Sequence, residues 1–222
     1  QSFIDELRDN LQGVTHITEV TRFLGLELSN QGDHWRIGQH DYLNERLFMD
    51  GTKTNGKKQV VPIQRVERLL DDRRSDMNSS ILPITGFLRF AADRARPDIL
   101  TALGILSSGS PQQPTDSQTI MLGELLEYLS ETKALYMKIG SRQEICLVAF
   151  VDANFERKGT AKGRIGGCMY LSNDSAAIKI FSRSCPRYVS STSGSTCESE
   201  IKAIYEMTRE VLVMRKLLDF LG

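Results

Sequence analysis

An uninterrupted apolar run, Ile145–Val151, ends directly on Asp152. A run of this length, rich in β-branched and aromatic residues, suits a central strand covered on both faces. Two more strand-like runs follow, Arg164–Ser172 and Ala176–Ser184, and Ser195 opens a long helical pattern. Ile201, Ile204, Thr208, Val211, Leu218 and Leu221 recur along that pattern and are read as its buried stripe. An acid at the end of a central strand sits at the rim of the sheet, where sites are usually built. Asp152 is therefore the first candidate, and Glu200, on the border of the helical stripe, is the second.

The first half of the chain is more helical. Phe3, Ile4, Leu7 and Leu11 recur at helical spacing and Gly13 ends the pattern. His16–Ser29 reads as a strand, closed by a turn at Asn30–Asp33, with Trp35–Ile37 as its return. A short helix is expected over Asp41–Met49. Asp50–Gln59 has no apolar residue apart from glycine and reads as a loop whose lysines form a solvated face. Gln64–Asn78 is charge-dense and reads as partly helical. Helices are expected over Ile84–Ala92 and Pro97–Leu106, the proline fitting a first turn because its missing N–H would be unpaired there anyway. Ser107–Ser117 is a polar loop. Met121, Leu122, Leu125, Leu126 and Leu129 give Thr119–Thr132 one apolar face, and Ala134–Ile139 is a short strand. A boundary near residue 140 divides the chain into regions 1–140 and 141–222, an α+β organisation.

Composition narrows the function classes. Twenty-eight basic against 28 acidic residues give no global electrostatic footprint for nucleic acid. Cys146, Cys168, Cys185 and Cys197 show no CxxC spacing, so reduced thiols of an intracellular protein are expected. No apolar run approaches the ~18 residues of a membrane span, and no signal peptide is seen, which implies a soluble chain without a membrane partner.

Five stretches then carry a resemblance. Asp152-Ala153-Asn154-Phe155, Arg164-Ile165-Gly166-Gly167 and Ser195-Thr196-Cys197-Glu198-Ser199-Glu200-Ile201 are similar to the RNase H motifs of copia-type LTR retrotransposon Pol polyproteins. Upstream, Phe23-Leu24-Gly25-Leu26-Glu27 and Arg96-Pro97-Asp98-Ile99 resemble the end of the same family's reverse transcriptase. The resemblance covers roughly residues 15–222. It implies a thumb or connection region followed by a partial RNase H-like domain of three antiparallel strands and a first helix. It further implies hydrolysis of the RNA strand of an RNA/DNA hybrid by two Mg²⁺ ions held on carboxylates. Asp152 and Glu200 fall at catalytic, metal-ligating positions of the motifs. Asn154 stands where the family usually has a second Asp.

The remaining candidates follow from local chemistry. Ser195 at the N-cap with Glu198 three residues on forms a capping box, giving Glu198 a structural task. Arg157, Lys158, Lys162 and Arg164 are placed to contact nucleic-acid phosphates, or else form a solvated loop. The polymerase aspartates and the last two RNase H acids of the family have no counterpart in these 222 residues. The expectation is a truncated piece of a Pol polyprotein (a reverse transcriptase and RNase H), inactive alone, with little or no Mg²⁺ affinity. Its partners would be the hybrid and the rest of the polyprotein, in a cytoplasmic virus-like particle or the nucleus. The alternative is a domesticated, non-catalytic interaction protein. The strand ending at Asp152 is expected to keep one open edge, and so to favour self-association.

Overall fold

The computed structural model describes residues 20–49, 80–107, 114–140, 146–154, 163–172, 175–184 and 196–221. The amino-terminal helix and the 50–59 and 64–78 segments expected from the sequence lie outside these residues, as does Ser195. Among the described residues the chain is mixed α+β, with five α-helices and two antiparallel sheets.

The first sheet starts with β1 (Arg22–Phe23) and β2 (Leu26–Asn30), joined by a two-residue turn at Leu24-Gly25. Both turn residues have positive φ, 48° and 76°, the backbone twist that a tight hairpin requires and that glycine adopts freely. β3 (Trp35–Gly38) returns along β2, as the hydrophobic pattern indicates. β4 (Tyr136–Ile139) pairs with β3 from the far end of the region. Helix α1 (His40–Met49) follows β3 at once, and the Glu27 carboxylate accepts from the Asp41 N–H at 2.6 Å, satisfying one of its first-turn donors.

Three helices pack beside this sheet. They are α2 (Leu82–Arg94), α3 (Leu100–Leu106, entered through a 3-10 turn at Pro97–Ile99) and α4 (Asp116–Thr132). Helix α4 begins with a capping box: Thr115 Oγ accepts from the Gln118 N–H, and Gln118 Oε1 accepts from the Thr115 N–H. Gln118 also donates to the Leu106 carbonyl at 3.0 Å, so one buried side chain closes the end of α3 and the start of α4. The core here is aliphatic, from Leu43 and Leu88 through Leu100, Leu103 and Leu106 to Leu125 and Leu129.

One charge is buried beside this core. The Arg96 side chain, 1% exposed, donates through Nε and Nη2 to both oxygens of Asp98, at 3.0 and 2.7 Å. Its other donors reach the Thr132 carbonyl at 3.1 Å and the Thr132 hydroxyl at 2.8 Å. Tyr128 completes the set by donating to Asp98 at 2.8 Å, and burial, then its bond to Asp98, raises the phenol's pKa above the ordinary value. The guanidinium thus satisfies a carbonyl at the carboxyl end of α4, where positive charge is favoured.

The second sheet is β5 (Val148–Asn154), β6 (Arg164–Tyr170) and β7 (Lys179–Ser184) in sequential antiparallel order. Among the described residues no strand pairs with the outer edge of β5; β4 belongs to the other sheet. Helix α5 (Thr196–Leu221) lies on one face, against Ile165, Met169, Phe181 and the β5 residues Val151 and Ala153. The opposite face meets α3, where Thr101 bonds Ser182 at 3.1 Å and Ile180 packs on the first core. A backbone bond from Ala176 to Lys138, 2.6 Å, ties the two sheets together.

The buried stripe of α5 differs from the one expected. Ala203 and Met207 are buried, with Val211 and Met214 packed beside them, whereas Ile201 and Ile204 are exposed and Thr208 lies among them. The reason lies on the sheet. A Cβ on Gly167 would come within 2.5 Å of Met207 and 2.8 Å of the Phe181 ring, so the missing side chain is the hole that Met207 fills.

Three substitutions test this packing. Arg96→Leu strands the Asp98 carboxylate and the Thr132 carbonyl, and an expected loss of about 3 kcal/mol would appear as a lower urea midpoint at unchanged slope. A loss below about 0.5 kcal/mol would show that the network is dispensable. Gly167→Ala is expected to cost about 1–3 kcal/mol by overpacking. Combining it with Met207→Ala should recover part of that cost, whereas simple additivity in the double mutant would disconnect the two residues.

Candidate functional site

Which way α5 runs over the sheet fixes where Glu200 lies. Glu206 pairs with Arg183, which sits opposite Ile165, and Glu210 pairs with Lys179, opposite Met169. Moving along α5 therefore follows β6 from its start toward its end. The first turns of α5 lie at the end of the sheet where β5 finishes at Asn154, opposite Arg164. Glu200 is half-buried and falls three residues before Ala203 and seven before Met207, on the side of the helix turned to the sheet.

Strand alternation fixes Asp152. Val151 and Ala153 face α5, so Phe150, Asp152 and Asn154 share the other face. Asp152 is exposed there, opposite Gly166, with Oδ1 accepting from the Ala153 N–H at 2.9 Å. It borders a groove of about 340 Å³ between the sheet and α3, lined by Leu100, Thr101, Phe150, Cys168 and Ser182 as well. Asp152 and Glu200 share one end of the sheet, and strand β5 divides their faces.

The other sequence candidates separate. Glu198 pairs with Lys202 at 2.7 Å, one turn on. Arg157, Lys158 and Lys162 lie outside the described residues. Arg164 is half-buried on the α3 face, where it fits because Gly104 has no side chain, and it donates to Ser182 at 3.4 Å. Burial, and then the charge of Arg89, hold its pKa below the usual guanidinium value. Asn154 accepts from the Arg164 N–H at 3.4 Å and so helps close β5 onto β6. Cys146, Cys168 and Cys197 carry no disulfide.

Sequence reasoning missed a basic cleft. Arg89 and Arg94 on α2, with Lys179 and Arg183 on β7, line a cavity of about 390 Å³ together with Asp93 and Glu210. Arg89 is held by Asp93 at 2.7 Å and Lys179 by Glu210 at 3.3 Å, while Arg94 stacks over Phe90. The signal was available in part: Lys179 and Arg183 stand four apart on one strand and so share a face. That α2 would bring two arginines to meet them is a tertiary fact.

Among the described residues no three His, Cys, Asp or Glu side chains converge as a metal-holding group, and no helix is long and apolar enough to cross a membrane. Compared with known proteins, the chain matches no protein-family model, and no solved structure matches it significantly.

Proposed function

We propose that the chain is a segment of a copia-type Pol polyprotein, a thumb- and connection-like region followed by the opening part of an RNase H-like domain. One observation carries this reading: the order of elements and acids in the second unit. A strand bearing Asp152 is followed by two antiparallel strands and then a helix with Glu200 near its start, and both acids lie at one end of the sheet. The parent activity would be cleavage of RNA in an RNA/DNA hybrid, inside the cell, in a virus-like particle or the nucleus.

Hard cations such as Mg²⁺ take carboxylate oxygens, which is what Asp152 and Glu200 offer. Two acids divided by a strand do not fit a pair of dications, and we derive no metal-dependent step from them. These residues by themselves are assigned to holding the hybrid rather than cutting it, with Arg94 and Lys179 in the basic cleft as phosphate contacts. A second reading, a non-catalytic interaction protein, is favoured by the apolar side chains that α5 leaves exposed.

With Mg²⁺ and an RNA/DNA hybrid, the 222-residue chain is expected to cleave nothing above background and to extend no primer. Hybrid binding, followed by fluorescence anisotropy in rising salt, should weaken in Arg94→Gln and in Lys179→Gln. Each substitution should reduce the salt slope by about one. Mg²⁺-dependent cleavage that disappears in Asp152→Asn would overturn the inactive assignment. Absence of hybrid binding at low salt would leave the interaction-protein reading in its place.

A further inference from the structure

Helix α5 leaves apolar residues exposed beyond the side that the sheet covers, Val213 and Phe220 near its carboxyl end among them. On the far side Ile201, Ile204, Tyr205 and Leu212 are each at least half exposed, at the spacing of a single helical stripe. Thr208 sits in the middle of that stripe, its hydroxyl donating to the Ile204 carbonyl at 2.8 Å, which turns the polar atom back to the helix. No charged residue interrupts the stripe between Ile201 and Leu212 on its centre line. A helix with two apolar sides is one that expects cover on both.

Charge at the ends of the stripe says what that cover is. Glu198, which is also held by Lys202 of its own helix at 2.7 Å, flanks its beginning and Lys216, next to Arg215, flanks its end. Glu198 and Lys216 are about five turns of 3.6 residues apart, so they project to the same side of the helix. In a twofold antiparallel pair, residues on the same flank of the two helices meet, residue i against j and j against i. Glu198 of one copy would then face Lys216 of the other, twice over, while the Ile201 end of one stripe covers the Leu212 end of its mate. A parallel pair would instead bring Glu198 to Glu198 and Lys216 to Lys216.

We infer that the outer face of α5 is a self-recognition surface, and that two copies of this chain associate through antiparallel α5 helices. The apolar stripe supplies the contact and the end charges set its direction. This inference does not depend on the Pol reading, because it uses only the exposed side of α5 and its charges. The open edge of β5 is the competing surface for self-association and is distinguished by the same experiment.

Sedimentation of the full chain over a concentration series should show a reversible monomer–dimer equilibrium. Leu212→Glu, at an exposed position, should abolish the dimer while the circular dichroism spectrum stays unchanged. Glu198→Lys and Lys216→Glu place like charges opposite each other in both of the dimer's end contacts. Each alone should weaken self-association about tenfold. Mixing the two variants should restore a dimer of one chain of each kind, since every end contact is then between opposite charges. A wild-type chain that stays monomeric at about 0.1 mM overturns the proposal. So does a dimer indifferent to Leu212→Glu but lost in Val148→Pro on the β5 edge, and so does a mixture that shows no preference for the mixed dimer.

Discussion

Arg96 stands immediately before Pro97, and the proline constrains the backbone on which its side chain is carried. The residue before a proline is kept out of helical conformation, and Arg96 accordingly lies at φ −123°, ψ 57°. The chain breaks there between α2 and α3, and the guanidinium meets Asp98 and the last residue of α4. An apolar side chain could fill the same volume, and buried ion pairs often add little net stability against such a replacement. What an apolar residue cannot do is donate to four particular atoms at once. The fork of Arg96 makes one relative placement of the α2–α3 corner and the end of α4 satisfied and leaves others with bare polar groups.

The rest of the molecule is built on that corner. Helix α3 is short, and it touches the second sheet through β7, where Thr101 and Ser182 bond and Gly104 leaves room for Arg164. With β7 seated, sheet order carries β6 and β5 outward in sequence, and Gly167 leaves the hollow into which α5 sets Met207. The position of Glu200 is therefore determined from two directions, by the hollow at Gly167 and by the pairs Arg183–Glu206 and Lys179–Glu210. Asp152 depends on register alone. A shift of one residue in the β5–β6 pairing would carry it to the other face.

Most elements were legible because their patterns were local. The hairpin at Asn30–Asp33, the leucine face of α4 and the three strand-like runs all declare themselves within a few residues. The inner face of α5 did not. Ile201, Ile204 and Thr208 are as good a helical stripe as Ala203, Met207 and Val211, and hydrophobicity alone favours the isoleucines. The choice between them was made by a glycine more than thirty positions away, which no periodicity in the helix reveals. Arg96 was legible only as part of a resemblance, since arginine is rarely fully buried and nothing local announces that Thr132 and Tyr128 will meet it. The two acids were found one by one, whereas their separation by β5 follows from which face of the sheet α5 covers.

The two units differ in how far they are closed. In the first, Arg96, Thr115 and Gln118 answer polar groups at the end of α3 and at both ends of α4, and the helices share one aliphatic core. In the second, β5 presents an edge without a strand partner among the described residues, Phe150 stands exposed beside Asp152, and α5 keeps a full apolar side in water. Exposed apolar surface and open backbone both carry a free-energy cost that contact with another surface would relieve. Such contact would fall on the same unit that carries Asp152 and Glu200. The candidate acids thus belong to the same unit as the open edge of β5 and the exposed side of α5.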